Sequence, residues 1–251
     1  MSDHDENLVT HFAASGWAGP FRALAADRAA ALIQVYREAA GITGSGWGKA
    51  GANLAAWHHR QRWAYDLATA PEILDRVEAL LGPDIILWAW FAWYKEPHTG
   101  KRIPWHQDAS YWPIEPKKCV SAWLALEPTS PANGCLRIIP GSHRQDIVHV
   151  AVDDPNSWFG QGADPAAVDE TQARDLPLAA GEFVLFNEAV LHGSEPNRSD
   201  RPRIALSLRY TSPEVSLHGD RWGDDRVRAF LVRGSDRHHR NDAWIGVAPT
   251  A

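Results

Sequence analysis

Arg203-Ile204-Ala205-Leu206-Ser207-Leu208-Arg209-Tyr210 alternates strictly between two kinds of side chain. One face carries Arg203, Ala205, Ser207 and Arg209; the other carries Ile204, Leu206, Leu208 and Tyr210. A period of two is that of a β-strand, whose successive side chains point to opposite faces. Cys119 to Leu126 repeats the pattern, with Cys119, Ser121, Trp123 and Ala125 opposite Val120, Ala122, Leu124 and Leu126. If the apolar faces pack beneath helices, the polar faces line an interior cavity. A barrel or sandwich built this way holds a polar or anionic ligand, and a jelly roll fits.

Other short β-rich runs flank these two: Asp84 to Lys95, Cys135 to Ile139 and Glu182 to Phe186. Turn residues separate them at Pro97 to Gly100, Pro131 to Gly134, Pro140-Gly141-Ser142, Ala180-Gly181 and Pro196 to Pro202. Helical spacing precedes them. Phe21 to Ala40 predicts a helix stopped by Gly41, and Arg62 to Leu81 predicts helical segments. Thr69-Ala70-Pro71-Glu72 has capping-box spacing for a helix ending near Gly82. Thr43 to Ala52 is Gly-rich and reads as a loop. Arg144 to Leu178 is long, polar and irregular, as functional loops are, and the tail after Ser216 shows little periodicity. Helices first and strands after give an α+β, mainly β, fold. The reading is one domain over 1–251, with a jelly-roll core over about 55–211 backed by N-terminal helices, and an active-site loop over about 144–178.

The chain has 251 residues, 45% hydrophobic and 22% charged, which is ordinary for a globular protein with an ample core. Its net charge of −6 gives no reason to expect a nucleic-acid partner or a membrane surface. The stretch Met1 to Asn7 lacks the basic and apolar regions of a signal peptide, and no apolar run approaches bilayer length. Cys119 and Cys135 form no CxxC pair, so reduced thiols in a cytoplasmic setting are expected. Nothing in the chain sets an oligomeric state.

The chemistry centres on Trp105-His106-Gln107-Asp108. Two residues apart on an extended segment, His106 and Asp108 project from one face, and Gln107 points away. Three facial ligands cannot all come from one strand, and His192, 84 residues beyond Asp108, closes the apolar run Phe183 to Leu191. Two imidazoles and a carboxylate on one face of an octahedral Fe(II) leave the opposite positions open for a chelating cosubstrate and O₂. Arg203, eleven residues beyond His192, offers a two-pronged donor for a distant carboxylate. The ordered set is the reading of an iron- and 2-oxoglutarate-dependent oxygenase. A lone HxD in a chain with 12 histidines would be an ordinary hydrogen-bonded pair. His58-His59 and His238-His239 read as solvated, His143 as a loop support, and His149 has no partner at a telling spacing.

Further stretches accompany the set: Tyr111-Trp112-Pro113, Ala122-Trp123-Leu124-Ala125-Leu126, Asn133-Gly134-Cys135-Leu136, Ile139-Pro140-Gly141-Ser142-His143 and Leu191-His192-Gly193-Ser194. Together with Tyr65-Asp66-Leu67 and Leu81-Gly82-Pro83, the ordered motifs resemble the phytanoyl-CoA dioxygenase family of Fe(II)/2-oxoglutarate oxygenases. The resemblance implies a double-stranded β-helix, cupin-like, with His106, Asp108 and His192 as iron ligands. It implies that Arg203 binds the far carboxylate of 2-oxoglutarate beside Ser194 and Trp123, with Gln107 also among the cosubstrate residues. The family's early cosubstrate lysine falls by offset at Asn53 and a methionine contact at Phe91, so this chain departs there. Such enzymes release succinate and CO₂ while oxidising a substrate. A carboxylate at 108 argues for hydroxylation over halogenation, although desaturation and ring closure use the same triad.

Thirteen tryptophans ask for a reason, and core packing accounts for most. Strand parity puts Trp88 and Trp90 on one face and Trp93 on the other. Trp112, Trp158, Ser207 and Arg209 are the candidate substrate contacts. The expected substrate is a small-molecule metabolite, such as a natural-product intermediate or an organophosphonate. Two other readings of the same residues are a zinc hydrolase and a non-catalytic jelly-roll binding protein.

Overall fold

The computed structural model describes residues 3–42, 55–99, 101–219 and 228–250. The predicted Gly-rich loop over 43–52 and Asn53 lie outside these residues. Strand β12 (Arg203–Thr211) is buried along its whole length at the centre of a six-stranded antiparallel sheet. Its neighbours are β5 (Val120–Ala125) and β2 (Ile85–Lys95). The sheet continues outward through β10 (Glu182–Asn187) to β1 (Trp17–Arg22) on one side and to β14 (Phe230–Arg233) on the other. A second, four-stranded sheet runs β3 (Ile103–His106), β11 (His192–Ser194), β6 (Leu136–Ile138) and β9 (Arg174–Leu176). With helices on the larger sheet, this is the jelly roll that the alternating strands predict.

The two faces of β12 divide as expected. Ile204, Leu206, Leu208 and Tyr210 join Val120, Ala122, Leu124 and Leu126 in one apolar cluster with helix residues Leu32, Ile73, Leu74 and Val77. These come from α2 (Ala26–Ala39) and α4 (Pro71–Leu81), while α3 (Arg62–Ala68) adds Ala64 and Leu67. Each fully buried aliphatic side chain contributes about 1.5–3 kcal/mol. The Tyr210 hydroxyl donates to Ala68 O at 2.7 Å and ties the sheet to α3. The remaining helix, α1 (Asp3–Ser15), packs against β1 and α4. On the opposite face Arg203, Ser207 and Arg209 line a cavity between the sheets.

Strand β2 breaks the parity rule. Arg209 pairs with Ala89 and Tyr210 with Leu87, so Trp88 is an extra residue in a β-bulge. Ile85 and Leu87 face the helices, as do Trp90, Ala92 and Tyr94 after the bulge, whereas Ile86, Trp88 and Ala89 face the other way. Trp88 and Trp90 therefore lie on opposite faces, contrary to the alternation expected over 88–93. Trp90 packs with Trp57, Trp63 and Tyr36 under the helices. Trp88 meets Trp112 edge-on at 5.1 Å.

Other expectations are corrected. Phe21 and Arg22 belong to β1, pairing with Phe183 and Glu182, and the helix begins only at Ala26, where the chain has cleared the sheet edge. No capping box forms at Thr69. Its hydroxyl donates to Tyr65 O within α3, and α4 starts instead with Pro71 in its first turn, where a missing N–H costs nothing. The stretch over 144–178 contains a hairpin, β7 (His149–Ala151) with β8 (Gln161–Ala163), and β9 pairs with β6. The tail supplies β13 (Ser216–Leu217), which pairs with β4 (Ile114–Glu115), and the edge strand β14. His58 is not solvated: it is fully buried with Nε2 at 2.8 Å from Arg228 O, and burial lowers its pKa to about 3. Among the described residues, no helix is long and apolar enough to cross a membrane.

Gly134 shows how tightly the second sheet is closed. Its φ is +75°, and a Cβ there would stand 2.3 Å from Glu195 O and 3.3 Å from the Lys95 side chain. Both strain and overlap act against any side chain. Gly134→Ala is expected to cost about 2–4 kcal/mol, read as a lowered midpoint in urea unfolding; an unchanged midpoint would show that this turn yields freely.

Candidate functional site

Strands β3 and β11 pair antiparallel, with His106 directly across from His192 and their ring centroids 4.1 Å apart. Gln107 stays extended (φ −109°, ψ 124°), so Asp108 emerges on the side of His106 and opens a single 3-10 turn over Asp108–Ser110. The Nδ1 of His106 donates to Pro104 O at 2.8 Å, and that of His192 to Val190 O at 3.0 Å. With Nδ1 carrying the proton, each Nε2 presents its lone pair inward. His106 Nε2 lies 3.6 Å from Asp108 Oδ1, and His192 Nε2 lies 3.7 Å from Asp108 Oδ2. Asp108 Oδ2 is buried and accepts no hydrogen bond. Facial ligands at about 2.1 Å from a metal sit roughly 3 Å apart, so small side-chain shifts would close this cluster on a cation. His106, Asp108 and His192 form the group able to hold a metal ion among the described residues.

Electrostatics suits the same task. Burial alone would push the Asp108 carboxyl up, but Arg209, 3.6 Å away, and the two imidazoles outweigh it and hold it ionised. Burial, reinforced by His106, lowers the His192 pKa to about 3, so the ring is neutral at pH 7 and ready to ligate.

Across the cavity lies Arg203, about 1% exposed. It donates to Trp93 O at 3.2 Å, its Cζ sits 5.5 Å from the Trp123 ring centroid, and its Nε has no partner. Among the described residues no carboxylate pairs with it. Burial lowers its pKa only to about 10, so the charge persists. Ser194 Oγ, which lines the same cavity from β11, is also buried and has no hydrogen bond among the described residues. A buried, unpaired guanidinium beside an unpartnered hydroxyl is a site for a carboxylate.

Lys95, opposite Arg203 in the ladder, carries no sequence signal for its role. Its amine donates to Ser194 O and Glu195 O and fastens the turn that follows β11. Burial, and then Arg203, lower its pKa from 10.5 to about 6. The unfolded chain thus holds a proton here that the folded chain releases, so raising pH from 6 towards 10.5 favours folding. Unfolding free energy measured across that window should rise more steeply in wild type than in Lys95→Met; parallel curves would show that the amine keeps its ordinary value.

Ser207 and Trp123 line the inner cavity with the triad and Arg203. Gln107, expected among the cosubstrate residues, does not line it. Its amide donates to Gln145 O and Ala189 O and accepts from Ile147 N, stapling the loop behind the metal strand. Phe91, Trp112 and Trp158 instead line a wider outer chamber, which shares Asp108 and Arg209 with the inner cavity. Two contributors had no signal in sequence. Phe159 stands edge-on to His106 at 5.0 Å. His149 Nε2 accepts from Gln107 N at 3.0 Å, supporting the HxD strand from 42 residues away.

The chain matches the family model for phytanoyl-CoA dioxygenase (PhyH) over residues 26–205, which takes in the triad and Arg203. The protein belongs to the phytanoyl-CoA dioxygenase family. Peroxisomal phytanoyl-CoA dioxygenase of Homo sapiens is 35% identical over 156 residues, covering 58% of this chain and 45% of that protein. The chain spans about half the length of the curated family relatives it matches. The structure of a non-heme monooxygenase, ThoJ in its apo form, is 31% identical over 91% of this chain and 84% of that one, with a TM-score of 0.76. CytC3 with Fe(II) and alpha-ketoglutarate, at 21% identity, shares the fold over 98% of this chain and 93% of that one, with a TM-score of 0.72.

Proposed function

We propose that this family member is a non-haem Fe(II)- and 2-oxoglutarate-dependent dioxygenase that hydroxylates a small-molecule metabolite. One observation carries the reading: a buried His-His-Asp cluster and a buried, unpaired Arg203 face the same cavity. His106, Asp108 and His192 would hold the iron. Arg203, with the Ser194 hydroxyl and the Trp123 ring, would take the far carboxylate of 2-oxoglutarate. When bound, iron and keto acid supply the oxidising power by using O₂ and releasing succinate and CO₂. The chain's own part is to bind, aim and exclude water. Backbone carbonyls fix both imidazoles in the ligating tautomer, and Phe159, Phe186 and Trp93 supply apolar walls beside the charged residues of the cavity. The Asp108 carboxylate fills a position that a halide would need, which supports hydroxylation. The zinc-hydrolase reading gives Arg203 no task, and the binding-protein reading gives the His106–Asp108–His192 cluster none. Buried free thiols at Cys119 and Cys135 support a cytoplasmic setting.

The test is an anaerobic titration of the Fe(II)-loaded protein with 2-oxoglutarate, following the visible metal-to-ligand charge-transfer band. A saturable band supports chelation at this site. Its absence in folded, iron-loaded protein would remove the keto acid from the mechanism.

A further inference from the structure

The outer chamber has a volume of about 550 Å³, room for a whole small molecule. Its walls are Phe91, Trp93, Tyr111, Trp112, Trp158 and Phe159. At its inner end stands Arg209, 6% exposed, with Cζ 4.2 Å from the Trp112 ring centroid and 4.7 Å from that of Phe91. Two rings thus hold a planar cation in one pose. Among the described residues its Nε has no hydrogen-bond partner. Asp108 forms an ion pair with Arg209 at 3.6 Å but makes no hydrogen bond to it, and its carboxylate is also the one assigned to the metal. A second buried donor, Trp158 Nε1, is also unpartnered on this chamber's wall. The Tyr111 hydroxyl already donates to Gln161 O at 3.0 Å.

Two buried N–H groups without acceptors call for a ligand that brings oxygen acceptors, and one is a guanidinium, which favours a negative one. Flat aromatic walls favour a flat apolar body. Building on the dioxygenase reading, we propose that the substrate is a flat-bodied organic anion, a carboxylate or an ionised phenol or enol. Its charged oxygen is held by Arg209 and Trp158 beside the metal, and its body lies between the aromatic rings. Arg209 is the specificity-determining residue, separate from Arg203, which serves the cosubstrate. A substrate carrying several phosphates does not match, because Arg209 is the one cation lining the chamber among the described residues.

Calorimetric titration of the anaerobic Fe(II) protein, saturated with 2-oxoglutarate so that Arg203 is occupied, tests this with 2-naphthoate and its uncharged counterpart 2-naphthamide. The acid should bind at least about tenfold more tightly than the amide, the ratio one charge-assisted hydrogen bond supplies. Arg209→Gln should collapse that ratio by weakening the acid far more than the amide. Trp158→Phe, which keeps a ring and loses the N–H, should weaken the acid about threefold or more and the amide, whose carbonyl accepts only a neutral hydrogen bond, by less. Equal affinities in wild type, no binding of either probe, or a ratio that survives both substitutions would overturn the proposal. A merely structural role for Arg209 would weaken both probes together. Failure of the dioxygenase reading is seen separately, as a missing charge-transfer band, and the acid-to-amide ratio still reports on the chamber.

Discussion

Asp108→Ala is expected to eliminate turnover, with no oxygen consumed and no succinate released above the metal-free rate. The carboxylate is the anionic member of the cluster, within 3.7 Å of both imidazoles. Without it, two imidazoles must hold a dication alone. The substitution also strands Arg209, which pairs with Asp108 at 3.6 Å. A buried charge left uncompensated costs about 3–5 kcal/mol, so the variant should fold with a clearly lower midpoint in thermal or urea unfolding. Oxygen-electrode traces, succinate assays and circular dichroism on one preparation separate loss of the site from loss of the fold. Full turnover in folded Asp108→Ala would dismiss the triad.

Arg203→Ala is expected to raise the dissociation constant for 2-oxoglutarate by about 30-fold to 1000-fold, the effect of removing one partner from a buried charge pair, about 2–4 kcal/mol. Lys95 cannot substitute, because its amine is directed at the carbonyls of Ser194 and Glu195. Arg203→Lys should fall between, since an ammonium restores charge without the fork. The same charge-transfer titration gives all three constants. An unchanged constant in Arg203→Ala would show that the cosubstrate is anchored elsewhere.

Much of this was legible in one dimension. The alternation over 203–210 and 119–126 assigned each side chain to the face it occupies. The i, i+2 spacing of His106 and Asp108 placed both on one side, because Gln107 between them is extended. Where local periodicity was interrupted, the reading failed. The bulge at Trp88 inserts one residue into β2 and inverts the face of everything before it. The β7–β8 hairpin over 149–163 and the edge strand β14 have short, weakly patterned sequences that become strands by pairing with neighbours. Side chains whose roles depend on distant partners were equally silent: His149 under Gln107, Lys95 behind Ser194, His58 against Arg228.

The amino-acid sequence by itself determined the faces of β5 and β12, the residue types of the candidate metal cluster and the presence of an arginine suited to a carboxylate, since each follows from backbone geometry over a few residues. Only the tertiary structure decided that His192 stands across from His106, that Arg203 is unpaired, and that Phe91 and Trp112 clamp Arg209 at the chamber's end. Those relations depend on register between strands far apart in sequence. Register is chosen by the packing of both sheets at once.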